Sequence, residues 1–133
     1  MKKISLIIPM YYEEEVANEC YNRVLNVLKK IDNYEYEIVF VNDGSKDKTL
    51  EILEKIAKED KNVKIVSFSR NFGHQAAVTT GLKYVTGDAI VIIDADLQDP
   101  PELIPEMLKE WENGYEVIYG KERKEMENQH LNY

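Results

Sequence analysis

The chemistry this sequence could do is concentrated where short apolar runs give way to carboxylates. The clearest case is Asp94-Ala95-Asp96-Leu97-Gln98-Asp99-Pro100-Pro101, which follows the apolar run Ala89–Ile93 without a spacer. Side chains alternate along an extended chain, so continued extension would put Asp94, Asp96 and Gln98 on one side. Two carboxylates held that close repel each other. A divalent cation relieves the repulsion, and Mg2+ or Mn2+ commonly binds through one or two carboxylates plus phosphate oxygens and water. Such an arrangement suits a nucleoside diphosphate leaving group, whose developing charge the metal would neutralise.

Two more acidic segments follow apolar runs. In Val41-Asn42-Asp43-Gly44-Ser45-Lys46-Asp47, Gly44 permits a tight turn, and Ser45 or Asp47 can cap the next helix. Asp43 is not needed as a cap and could accept a hydrogen bond from a nucleotide base. In Pro9-Met10-Tyr11-Tyr12-Glu13-Glu14-Glu15, Pro9 lacks an N–H and should stop the first ladder, while the acids suit the opening of a helix. A third segment, Ser69-Arg70-Asn71-Phe72-Gly73-His74-Gln75, is polar. Arg70 faces either a diphosphate or solvent, and the sequence leaves both open. His74 has no second histidine near it and reads as a loop or cap residue. A bare Asp-x-Asp arises often by chance. Three acidic segments converging on one rim of one sheet is a far more specific signal.

The elements that must position these residues are legible from periodicity. Ile4–Ile8, Glu37–Val41, Val63–Phe68 and Ala89–Ile93 read as strands buried on both faces, with a weaker one at Glu116–Tyr119. Helical spacing covers Glu13–Lys30, Lys48–Lys58, Gly73–Val85 and Glu102–Asn113. The alternation implies an α/β fold with a mostly parallel sheet and helices on both faces. Ligands in such sheets bind beyond the strand C-termini, at the switch in strand order.

The chain has 133 residues, enough for one domain with its own core, and a net charge of −8. That charge argues against a nucleic-acid partner, which needs clustered Lys and Arg. Cys20 is the only cysteine, so no internal disulfide forms and a reducing, cytoplasmic setting is expected. No apolar run reaches the roughly 20 residues that cross a bilayer.

On Ile8-Pro9-Met10-Tyr11, Val41–Asp47, Ser69–Ala77 and Asp94–Glu102, the chain resembles the inverting family 2 glycosyltransferases of GT-A (Rossmann-like) fold. It is most similar to their polyprenyl-phosphate sugar transferase branch, which includes dolichol-phosphate mannose synthase and undecaprenyl-phosphate glucosyltransferases. The resemblance runs from about Ile4 to Gly120. It implies a nucleotide-sugar-binding domain over residues 1–120 and, over 121–133, the start of a segment this chain does not complete. It assigns Pro9, Tyr11, Glu13, Val41, Asp43, Arg70, Asp94, Ala95 and Asp96 to the nucleotide-sugar. Asp94 and Asp96 would be catalytic, and Asp96 and Gln98 would hold Mg2+ or Mn2+. One departure stands out: the family usually has Asn where this chain has Tyr12, and no role carries over to that position.

The resemblance also implies a UDP-sugar donor, with a GDP-sugar as the alternative, and a polyprenyl phosphate acceptor. A phosphate acceptor is already an anion, which fits a sequence in which no general base stands out. Arg123 is a candidate contact for the lipid phosphate. The parent protein would work at the cytoplasmic face of a membrane, self-association being compatible with the reading. This chain alone would bind donor and transfer sugar poorly. A non-catalytic nucleotide-binding or scaffolding module is the rival reading. A phosphoacceptor domain would need a late-strand lysine, and a dinucleotide-dependent dehydrogenase would need a glycine-rich turn where Pro9 stands.

Overall fold

The structure, a computed structural model, describes residues 1–98 and 100–114. In chain order the elements are β1 (Lys2–Met10), α1 (Ala17–Lys29), β2 (Tyr34–Asn42), α2 (Thr49–Glu59), β3 (Val63–Ser67), α3 (His74–Tyr84), β4 (Ala89–Ile92), a 3-10 turn at Pro101–Leu103 and α4 (Ile104–Glu112). The four strands are parallel and lie in the order β3-β2-β1-β4. The expected strand at Glu116–Tyr119, Arg123 and the segment 121–133 lie outside the described residues.

Alternation along each strand feeds two cores. On one face Ile4, Leu6, Ile8 and Met10 of β1 and Ile38 and Phe40 of β2 pack against Cys20 and Val24 of α1, Leu53 of α2 and Ile104 of α4. On the other, Ile7, Val39 and Val41 meet Ala77 of α3. Each such Ile, Leu or Val contributes roughly 1.5–3 kcal/mol by leaving water. α3 approaches closely because Gly81 is small: a Cβ there would lie 2.6 Å from Cγ2 of Ile7. Helices therefore cover both faces, as the alternation implied.

The chain steps from β1 to β2 to β3 and then returns to the far side of β1 for β4. The sheet order reverses between β1 and β4, so the ligand crevice of such a sheet falls at their C-terminal ends.

Pro9 does not stop the ladder as expected. β1 runs on to Met10, with Pro9 paired to Val41. Ile7 O accepts from Ile93 N–H, and Met10 O accepts from Asp43 N–H. Backbone groups alternate sides along a strand, so the missing donor of Pro9 faces the β4 side. β4 has ended at Ile92, and no ladder bond is lost there.

The opposite end of the sheet is tied by a buried acid. Glu37 is 2% exposed. Its Oε2 accepts from Ser5 Oγ at 2.5 Å, Thr86 N–H at 2.6 Å and Thr86 Oγ1 at 3.0 Å. Lys64 Nζ lies 2.8 Å from Oε1. Burial pushes this carboxyl up, but the bonds from Lys64, Ser5 and Thr86 outweigh it and hold it at about 2.

Candidate functional site

A cavity of about 240 Å³ opens where β1 and β4 part company. Its walls come from strand ends and the loops that follow them: Pro9 and Met10 at the end of β1, Tyr11 and Glu13 after it, Asp43 after β2, Asn71 before α3 and His74 at its start, and Asp94, Ala95 and Asp96 after β4. Seven residues singled out from the sequence thus meet at one place.

The β1 loop is stapled to the β2 loop. Ser45 Oγ accepts from Tyr12 N–H at 2.9 Å, and Thr49 Oγ1 accepts from Glu13 N–H at 3.0 Å. Glu14 Oε2 accepts in turn from Lys48 N–H at 3.1 Å. Asp47 Oδ1 accepts from both Thr49 N–H and Thr49 Oγ1, which satisfies the first backbone donor of α2 from the residue before its N-cap, Lys48. Tyr12 sits at φ 53°, a left-handed conformation that Asn tolerates better than Tyr, at a cost on the order of 1 kcal/mol. α1 begins only at Ala17, because Glu13–Val16 form a turn in which Glu13 O accepts from Val16 and Ala17 N–H.

Asp43 does more than the sequence suggested. It is 3% exposed, and its Oδ1 accepts from Phe72 N–H at 2.7 Å. Its Oδ2 accepts from Gly73 N–H at 3.0 Å and Asn71 Nδ2 at 2.9 Å. Asp43 therefore clamps the loop entering α3, a capping task assigned to it by no local pattern because its partners lie about thirty residues away. Three of its roughly four lone-pair directions are used. Gly44 fits beneath the same loop at φ 76°, and a Cβ there would lie 2.2 Å from the Arg70 carbonyl carbon.

The segment after β4 corrects the expectation of continued extension. Leu97 N–H donates to Asp94 O at 3.1 Å, and Leu97 stands at φ 55°. Residues 94–97 form a tight turn, so strand alternation does not set their sides. Asp94 and Asp96 nonetheless both line the cavity, while Gln98 does not. Gln98 instead acts through its backbone, donating its N–H to Asp96 Oδ1 at 3.3 Å. Val41 is buried in the core under α3. Arg70 is exposed, its guanidinium 4.1 Å from the Phe72 ring and outside the cavity wall.

The cavity is electrostatically unbalanced. Glu13 is held above its ordinary value by partial burial first, then by the charges of Asp96, Asp47 and Asp94. Among the described residues, no group of three or more His, Cys, Asp or Glu could hold a metal by itself. A hard cation completed by phosphate and water, needing only one or two carboxylates, suits this donor set. Cys20 lies beneath, its thiol pushed up to about 12 by burial and then by Glu13, and it is inert as a nucleophile.

Met10, Asn71 and His74 are the cavity residues that sequence reasoning missed. His74 begins α3, and the polar run from Ser69 to Gln75 was its available signal.

A parallel sheet with this order reversal and an acidic cavity at the reversal is the architecture of a GT-A glycosyltransferase domain. The family model for glycosyl transferase family 2 matches residues 5–132, and the chain belongs to that family. An uncharacterized glycosyltransferase, YkcC, of Bacillus subtilis (strain 168) is 53% identical over 120 residues, covering 90% of this chain and 37% of the relative. The bactoprenol glucosyl transferase of Shigella phage SfX is 44% identical over 119 residues, covering 90% of this chain and 39% of the relative. The crystal structure of S. aureus TarS 1-349 in complex with UDP-GlcNAc superposes with a TM-score of 0.63 at 31% identity, covering 80% of this chain and 30% of that one. The chain spans less than two-fifths of the length of these relatives. No helix among the described residues is long and apolar enough to cross a membrane.

Proposed function

We propose that this chain is the donor-binding part of a metal-dependent glycosyltransferase. In this reading the cavity takes a nucleotide-sugar, UDP-linked in preference to GDP-linked. The parent enzyme then passes the sugar, with inversion, to a polyprenyl phosphate at the cytoplasmic face of a membrane. The observation that carries the reading is the convergence of Glu13, Asp94 and Asp96 on one cavity at the sheet's order reversal. Partial burial first, and then the charges of Asp96, Asp47 and Asp94, hold Glu13 above its ordinary value, and a bound cation would relieve the part due to charge.

Each residue then has a task. Tyr11, 49% exposed on the rim, offers an aromatic face to the base. Asp43 fixes the loop carrying Asn71 and His74, and keeps one lone-pair direction on Oδ1 for a base N–H. Asp94 faces the ribose and diphosphate. Asp96, oriented by the Gln98 N–H, would hold Mg2+ or Mn2+ with the phosphate oxygens. The cation would supply charge stabilisation for the departing nucleoside diphosphate. In transfer, a bond forms from the acceptor phosphate oxygen to the anomeric carbon as the bond to the diphosphate breaks. The acceptor needs no deprotonation, since its phosphate is already an anion.

Two similarities support the finer points. The phage relative's name gives bactoprenol as what it glucosylates, and TarS is bound to UDP-GlcNAc.

Thermal melting with UDP-glucose and GDP-mannose, each with and without Mn2+, tests the reading. A ligand at 100 times its Kd stabilises the folded state by about 2.7 kcal/mol, so UDP-glucose with Mn2+ should raise the Tm by several degrees. An unchanged Tm with both nucleotides would favour the non-catalytic module instead.

A further inference from the structure

We propose that Tyr12 is a positioning residue that holds the Tyr11 ring as a wall for the donor's nucleobase. The inference rests on the nucleotide reading of the cavity. Tyr12 adopts φ 53°, where any L residue other than Asn or Asp is sterically disfavoured. The turn itself asks only for that positive φ and for an N–H to meet Ser45 Oγ. Asn or Gly would satisfy both with less strain. Burial does not offset the strain, because Tyr12 is 47% exposed.

What the ring does touch is Tyr11. The two centroids are 4.7 Å apart at an interplanar angle of 82°, an edge-to-face pair. Tyr11 lines the cavity and is itself 49% exposed. Left unbraced, a half-exposed tyrosine distributes over several rotamers, and ordering it on ligand binding costs entropy. An edge-on neighbour removes part of that cost in advance. The base of the pair is fixed as well, since Ser45 and Thr49 hold the N–H groups of Tyr12 and Glu13. Strain kept at a cavity rim, in return for a contact with a cavity-lining ring, marks positioning for a ligand. A flat, braced aromatic face suits a heteroaromatic base and offers nothing to a phosphate.

Calorimetric titration of the whole chain tests this with two probes: UDP-glucose with Mn2+, and pyrophosphate with Mn2+, which has no base. Tyr12→Asn and Tyr12→Gly remove the ring and relieve the backbone, while Tyr12→Phe keeps the ring. Asn and Gly variants should bind UDP-glucose about three- to tenfold more weakly than wild type. They should bind pyrophosphate as wild type does, and melt no lower. The Phe variant should match wild type on both probes. Wild-type affinity for UDP-glucose in the Asn and Gly variants would overturn the proposal. So would an equal loss on both probes, which signals collapse of the loop. A wild-type chain that fails to bind UDP-glucose at all sinks the nucleotide reading, and this inference with it.

Discussion

At the residue scale, the cavity distinguishes carboxylates that serve the fold from those that face the ligand. Asp43 belongs chiefly to the first kind: both oxygens accept from the loop at residues 71–73, and one lone-pair direction on Oδ1 is left toward the cavity. Asp43→Asn would turn an NH2 group toward at least one of those donors. An unsatisfied buried donor costs about 1–3 kcal/mol, so denaturant unfolding should show a loss of that size, metal or no metal. Asp96 belongs to the second kind: among the described residues it accepts a long bond from the Gln98 N–H, and it is otherwise turned to the cavity. Asp96→Asn should not lower the stability of the empty chain, since it relieves repulsion on Glu13, but should weaken UDP-glucose binding about tenfold, roughly 1.4 kcal/mol, and only when Mn2+ is present. Titration with and without Mn2+ checks it, and an equal loss in both conditions would remove Asp96 from the metal's shell.

At the element scale, the sequence is readable wherever local periodicity alone decides, and opaque wherever a distant partner decides. The four strands and four helices lie where apolar alternation and helical spacing put them, shifted by a few residues at most ends. Pro9 misleads because its neighbour on the β4 side, not its own missing N–H, determines whether a ladder continues. The turn at residues 94–97 misleads because a strand that ends in carboxylates does not announce where it bends. Asp43 is legible as a site residue, but its clamp on the loop before α3 is not, because no spacing rule links residues 43 and 72. Gly44 joins the same two elements from below. Gly44→Ala would drive a methyl group into the Arg70 backbone and force a side chain to φ 76°. A cost of about 2–4 kcal/mol is expected by urea unfolding, together with weaker nucleotide binding as Asn71 and His74 move. A variant of wild-type stability would mean that the loop at residues 70–73 can shift without cost.

At the scale of the whole molecule, the two ends of the sheet respond to protons with opposite sign. Glu37, at the N-terminal ends of the strands, is held at about 2 against an ordinary 4.5. Its contribution is therefore complete above pH 4.5 and is lost as the pH falls through about 2. Glu13, at the cavity end, is held above 4.5 by burial and by Asp96, Asp47 and Asp94. The folded chain binds that proton more tightly than the unfolded one, so stability falls as the pH rises from 4.5 through the raised value. Glu37→Gln should cost about 3 kcal/mol at pH 7 and progressively less toward pH 2, since each tenfold change in proton affinity is worth about 1.4 kcal/mol. Glu13→Gln should do the reverse, stabilising the chain at pH 7 and changing nothing below pH 4. Urea unfolding of both variants and wild type across pH 2–7 reads the two differences separately. A pH-independent difference for Glu13→Gln would mean that neither burial nor the neighbouring carboxylates raise Glu13. Saturating UDP-glucose and Mn2+ should also erase the Glu13→Gln advantage at pH 7, because a cation among these acids makes the ionised Glu13 favourable. That convergence of wild type and variant on ligand binding is expected only if the acids that destabilise the empty cavity are the ones that fill it.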